Sequence, residues 1–158
     1  MKIILGLGNP GIEYANTRHN VGISFVDFLS QKLDSAYGWR REKNKMVFKT
    51  NEFTLIKTFN VFMNESGNLL SSLDYLVHDD LDIKLGKYKI QKGKGPKVHN
   101  GVESVENKLK TKDFWRVRIG IDNRTTPIDG ETYVLQRFSP EERETLNKVF
   151  EEICNRLI

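Results

Sequence analysis

The chain lacks most of the features that would assign a class at a glance. Its one cysteine, Cys154, excludes an intramolecular disulfide and fits a reducing cytoplasm. The apolar run Ile3 to Leu7 is followed by Asn9-Pro10, so it is too short for a signal-peptide core or a membrane span. No G-x-S-x-G nucleophile motif, H-E-x-x-H or C-x-x-C is present, which removes the usual sequence grounds for a serine hydrolase or a zinc site. There are no repeats, low-complexity segments or interior linkers, and histidine occurs only at His19, His78 and His99.

What remains is an ordinary globular composition, 38% hydrophobic and 29% charged over 158 residues. That suits one domain spanning residues 1–158, able to bury roughly 70% of its unfolded surface. The net charge of +4 says less than its distribution. Lys84, Lys87, Lys89, Lys92, Lys94 and Lys97 fall between Ile83 and Val98 without an acidic residue. Arg40, Arg41, Lys43 and Lys45 form a second basic stretch. Such clusters attract phosphates or form solvated loops.

Hydrophobic periodicity predicts strands at Lys2–Gly6, Met46–Thr50, Phe53–Phe59, Tyr75–Asp79, Gly86–Gln91, Phe114–Ile121 and Tyr133–Phe138. It predicts helices at Arg18–Leu33, Phe62–Leu73 and Gly101–Leu109. A last helix follows Ser139-Pro140-Glu141-Glu142, a capping box with proline at the first helical position. Cys154 sits at the edge of that helix's apolar stripe and reads as a packing residue. Strands alternating with helices give an α/β fold, a twisted mixed β-sheet flanked by helices.

Gly6, Gly8 and Gly11 in "GLGNPG" satisfy G-x-G-x-x-G, but a dinucleotide site needs a helix opening within the glycine turn. Pro10 stands there instead, helical periodicity starts only near Thr17, and no acidic residue closes a second strand about 20 residues on. The turn is better suited to presenting Asn9. His19 falls in the first turn of its predicted helix, where the dipole disfavours imidazolium, and a neutral imidazole suits a general base. Asp79, near a predicted strand end, could orient a histidine and stabilise its charged form. Asn9, Asn64 and Asn100 could donate to an oxyanion or act as turn formers and caps. His78, beside Asp79, should point to the opposite face of the strand.

The segments "GLGNPGIEYANTRHNVG", "FMNESG", "VHDDLD", "HNG" and "FWRVRIGI", in this order across most of the chain, resemble the bacterial peptidyl-tRNA hydrolase family. The resemblance implies an esterase that cleaves the bond joining a peptide to the 3′-ribose of tRNA, without cofactor or metal. It implies His19 as the base that activates water, Asp79 as its partner, and Asn9 as a contact near the scissile ester that helps discriminate blocked from free aminoacyl groups. Asn64 and Asn100 would hold the peptide backbone and the tRNA 3′ end, with Tyr14, Phe62, Met63 and His99 lining the cleft. Lys89 and Arg118 would clamp a tRNA 5′-phosphate. A cytoplasmic monomer acting on peptidyl-tRNA, away from membranes, is the expected setting. A non-catalytic RNA-binding relative of the same fold is the alternative, with a metal-dependent hydrolase behind it.

The sequence also departs from the family pattern. The stretch between Asn64 and Asp79 is compressed, so the helix after "FMN" should be abbreviated. "KGKGPKVHNG" replaces a glycine-rich approach to "HNG", with Lys97 and Val98 where glycines are usual. The C-terminal part, expected to help cover the tRNA-binding face, is trimmed.

Overall fold

A computed structural model describes residues 1–96 and 98–158; Lys97, of the first basic stretch, lies outside the described residues. One seven-stranded sheet has the order β2-β3-β4-β1-β5-β7-β6. Its strands are β1 (Lys2–Gly6), β2 (Trp39–Glu42), β3 (Lys45–Lys49), β4 (Phe53–Thr58), β5 (Tyr75–Lys84), β6 (Tyr88–Lys92) and β7 (Trp115–Asp122). The central four, β4, β1, β5 and β7, are parallel, while β2, β3 and β6 join antiparallel at the two edges.

Side chains alternate across a strand, and this divides the core. On one face Ile4, Val77, Val117 and Ile119 pack with α1 (Val21–Ser30) and α4 (Pro140–Leu157). There Phe25 meets Phe150 edge-on at 5.5 Å, and burying each such ring is worth about 1.5–3 kcal/mol. On the other face Leu5, Leu7 and Leu76 pack with α2 (Asn100–Leu109) and the 3-10 segment Met63–Leu69. Among the described residues no helix is long and apolar enough to cross a membrane.

The glycines of the first motif serve this packing. A Cβ on Gly6 would stand 2.3 Å from the Gly22 carbonyl oxygen, and one on Gly22 would stand 2.3 Å from that of Val77. Only bare backbone lets α1 lie this close to β1 and β5. The capping box forms as the sequence indicates: Ser139 Oγ accepts from Glu142 N–H at 3.2 Å, and Glu142 Oε1 accepts from Ser139 N–H at 2.8 Å. Cys154 is buried, and burial pushes its thiol up to about 11, so it stays an inert packing group.

Several elements differ from expectation. The strand expected at Tyr133–Phe138 is instead α3 (Gly130–Val134) followed by a single bridge between Thr17 and Arg137. Asp129 caps α3 by accepting from Thr132 N–H at 2.9 Å, and the Tyr133 hydroxyl donates into the core to Ile121 O at 3.0 Å. Cap and anchor override the strand propensity of Thr132-Tyr133-Val134. The helix expected from Arg18 opens as a 3-10 turn, Arg18–Asn20, and becomes α-helical at Val21. The segment after "FMN" is short, 3-10 and kinked at Glu65. Strand β5 runs on to Lys84 across a register irregularity. Strand β2, hidden in the second basic stretch, pairs Trp39 with Phe48 across the sheet edge.

Candidate active site

The C-terminal ends of the parallel strands share one edge of the sheet, where functional groups collect in α/β folds. After β1 the chain turns through Asn9, whose backbone is gripped on both sides by Asn20. Asn9 N–H donates to Asn20 Oδ1 at 2.8 Å, and Asn20 Nδ2 donates to Asn9 O at 2.9 Å. Met63 N–H donates to Asn9 Oδ1 at 2.7 Å. That bond fixes which way the amide faces and leaves Nδ2 without a protein acceptor among the described residues. Asn20, buried directly after His19, was missed in the sequence. Its only signal is adjacency to the histidine.

The 3-10 turn before α1 carries His19, and β5 carries Asp79. His19 Nδ1 donates to Asp79 Oδ2 at 2.8 Å, and His99 Nε2 donates to the other oxygen, Oδ1, at 2.7 Å. His99 precedes α2, and its Nδ1 accepts from Gly101 N–H at 3.2 Å and Val102 N–H at 3.3 Å. An imidazole nitrogen that accepts carries no proton, so the helix cap sets the His99 tautomer and makes Nε2–H the donor to Asp79. The two imidazole rings lie 5.2 Å apart. The link between Asp79 and His99, 20 residues apart, has no local signature in the sequence.

Burial pushes the His19 imidazole down, but the charge of Asp79 and its hydrogen bond outweigh burial, and the net shift is upward from 6.5. This corrects the expectation from the helix dipole: His19 stands in a turn ahead of α1, and the carboxylate dominates. For Asp79, burial favours the neutral acid, yet the imidazoles of His99 and His19 and their hydrogen bonds hold it well below the usual carboxylate range. It is a buried, permanently ionised acceptor with both oxygens engaged. His78 is fully buried, donating from Nδ1 to Asp79 O at 2.9 Å, with its ring edge-on to that of His99 at 5.3 Å. Burial pushes it down to about 3, so it stays neutral.

His19, Asp79, His99 and Asn100 border a cavity of about 500 Å³ that Glu131 and Val134 of α3 also line. A larger cavity of about 920 Å³ lies between the Asp34–Gly38 loop and β2–β3; its walls hold no histidine. The donor atoms of His19, Asp79 and His99 lie within 4.8 Å of one another, a spacing a cation could use. The His99 tautomer, however, commits Nε2 to donating rather than ligating. What the group can do is proton chemistry. His19 Nδ1 is held by a carboxylate, Nε2 is left for a water, and the imidazolium would be stabilised once formed.

The other residues expected at the site fall into separate groups. Half-buried Tyr14 meets exposed Phe62 edge-on at 6.2 Å, and Met63 is buried beneath them against Asn9. Asn64 is exposed on the 3-10 segment, and Asn100 is exposed in the first turn of α2. Lys89 and Arg118 stand directly opposite each other on β6 and β7. Arg118 is partly committed already, donating from Nε to Asp80 Oδ2 at 2.8 Å and from Nη1 to Gln91 Oε1 at 2.7 Å. Gly93 and Gly95 both take positive φ, so the glycines retained in this loop occupy left-handed positions.

A buried anchor sits behind His19. Arg18 Nη2 donates to Glu142 Oε1 at 2.9 Å and Oε2 at 3.2 Å, with its guanidinium 4.0 Å from the centre of the Tyr133 ring. Asn123 Nδ2 also donates to Glu142 Oε2, at 3.2 Å. The glutamate of the α4 capping box thereby fixes the turn that carries the histidine.

Residues 3–158 match the family model described as peptidyl-tRNA hydrolase. The peptidyl-tRNA hydrolase of Thermotoga maritima is 41% identical over 163 residues, covering 94% of this chain and 84% of that protein. That of Mycoplasmopsis synoviae is 41% identical over 165 residues, covering 98% and 87%. The crystal structure of the Acinetobacter baumannii peptidyl-tRNA hydrolase superposes with a TM-score of 0.84 at 26% identity, covering 98% of this chain and 85% of that one.

Proposed function

The chain belongs to the peptidyl-tRNA hydrolase family, and from that premise we infer that it cleaves the ester between peptide and tRNA with His19 as the base. The observation that carries the mechanism is the Asp79 carboxylate accepting one hydrogen bond from each of two histidines. His19 Nε2 takes a proton from a water as that water attacks the ester carbonyl carbon. The resulting imidazolium is stabilised by Asp79. As the carbonyl re-forms, the ribose oxygen leaves and takes the proton from Nε2, which restores the neutral base. Asn9 Nδ2, oriented by Met63 and Asn20, supplies a donor for the developing oxyanion or the substrate carbonyl.

In the same reading Asn64 and Asn100 hold the peptide backbone and the tRNA 3′ end, while Tyr14, Phe62, Met63 and His99 shape the cleft. Lys89 and the remaining Arg118 nitrogen, Nη2, receive a tRNA 5′-phosphate, a contact that fixes position without reading sequence. The molecule then works as one domain, a monomer in the cytoplasm.

The direct test is release of peptide from purified peptidyl-tRNA, with and without chelator. Turnover indifferent to chelator is expected. A protein that binds tRNA yet releases no peptide would overturn the reading, and loss of turnover on chelation would turn the histidine–carboxylate group into a metal site. For the clamp, Lys89→Ala is expected to weaken tRNA binding and lower the slope of log K against log salt by about one. An unchanged slope removes Lys89 from phosphate contact.

A further inference from the structure

The second basic stretch, Arg40 to Lys45, folds into β2, a turn at Lys43–Asn44 and the start of β3. Pairing of Glu42 with Lys45, and of Lys45 with Thr58, carries this turn to the sheet edge where β4 ends. That is the edge that bears Asn9 and Asp79. The contact is tight: Phe59 N–H donates to Asn44 O at 3.0 Å, and Arg41 Nε donates to Lys43 O at 3.0 Å. The Arg41 guanidinium lies 3.9 Å from the centre of the Phe59 ring. Phe59 is 43% exposed and Phe62, three residues on, 48%. Exposed Arg41 has no carboxylate partner among the described residues.

The order of elements along this edge gives the substrate a direction. From one side to the other stand the β2–β3 turn, the end of β4, Asn9 after β1, Asp79 on β5, Arg118 on β7 and Lys89 on β6. With the tRNA held at Lys89–Arg118 and the ester between His19 and Asn9, the peptide leaves toward the opposite side. On that side of Asn9 the strand order places the end of β4, followed by Phe59, and then the turn that Arg41 flanks. Strands lie about 4.8 Å apart, which puts the turn roughly 10–14 Å from β1. An extended chain advances about 3.4 Å per residue, so the third and fourth residues from the ester reach that distance.

On the hydrolase reading above, we propose that Arg41 stacked on Phe59 forms a subsite for the peptide, favouring an acidic side chain three to four residues from the ester. The apolar ring gives the incoming chain contact area, and the stacked guanidinium, held in place by Lys43 O, offers an ion-pair partner. A basic hairpin could also attract RNA, but the clamp places the tRNA at the far side of the sheet.

The test uses peptidyl-tRNAs with one tRNA and one residue at the ester, differing only in Asp or Lys at the third and fourth residues. A one-residue N-acetyl-aminoacyl-tRNA serves as internal reference. In wild type, kcat/KM is expected to favour Asp over Lys by roughly two- to fivefold, the range of an exposed charge contact. Arg41→Ala should bring the ratio near one, and Arg41→Glu should reverse it. A ratio unchanged in Arg41→Glu overturns the subsite. So does an equal fall on the one-residue reference, which would mean that the hairpin meets tRNA instead. Wild-type protein inert on every substrate overturns the subsite and the hydrolase reading together, whereas hydrolysis without an Asp–Lys bias overturns the subsite alone.

Discussion

His19→Ala is expected to lower single-turnover peptide release by on the order of 10²- to 10⁴-fold, the usual contribution of a positioned general base, while tRNA binding stays close to wild type. Water is a poor nucleophile, and among the groups bordering the cavity His19 alone combines a free nitrogen with a carboxylate on its other side. Asp79 has both oxygens engaged, and His99 has both ring nitrogens committed to hydrogen bonds. Neither of these two partners can take over the proton. A His19→Ala protein within tenfold of wild type in release would remove His19 from the reaction.

Asp79→Asn is expected to be nearly as damaging, about 10³- to 10⁴-fold by analogy with other carboxylate-held histidines, for a reason visible in the hydrogen bonds. The His99 tautomer is fixed by the N-terminus of α2, so His99 presents an N–H to position 79. An amide there must give its oxygen to His99, which leaves its NH₂ facing His19 Nδ1. That reverses the His19 tautomer and puts the proton on the nitrogen needed as base. The pH profile separates this from simple loss of fold. The base must be neutral, so wild-type kcat/KM rises as pH passes a midpoint above 6.5, because Asp79 outweighs burial. With the carboxylate gone, burial acts alone and the midpoint moves below 6.5. For stability the pH dependence runs the other way. The charged His19–Asp79 pair contributes fully below the unfolded imidazole value, and that contribution is lost as pH rises through the raised folded value. An acidic limb that stays in place in Asp79→Asn would break the assigned pairing.

Local signals in the chain translated directly into structure. The β-branched run Lys2–Gly6 became β1, and Ser139-Pro140-Glu141-Glu142 became the cap of α4, because both depend on neighbours in sequence. The alternation of "FWRVRIGI" set Val117 and Ile119 in the core and Arg116 and Arg118 on the other face, as a pleated strand requires. What escaped was decided at a distance. Strand β2 exists because Trp39 finds Phe48 and because Ser30 Oγ accepts from Trp39 Nε1 at 3.1 Å. Neither contact shows in four residues rich in charge. Tyr133 looked like a strand residue and became a helical anchor through a hydroxyl bond to Ile121 O. At the site, sequence reasoning placed His19 and Asp79 together through the resemblance. It did not see Asn20 holding Asn9, or His99 holding the second oxygen of Asp79. Those bonds join turns whose approach depends on the whole sheet.

The ion pair behind the histidine ties the turn that carries it to a distant part of the chain. Arg18 and Glu142 are 124 residues apart in the chain, and the turn between them, Arg18–Asn20, carries the base. The orientation of the His19 turn therefore depends on the docking of α4, whose first turn supplies the carboxylate that receives Arg18.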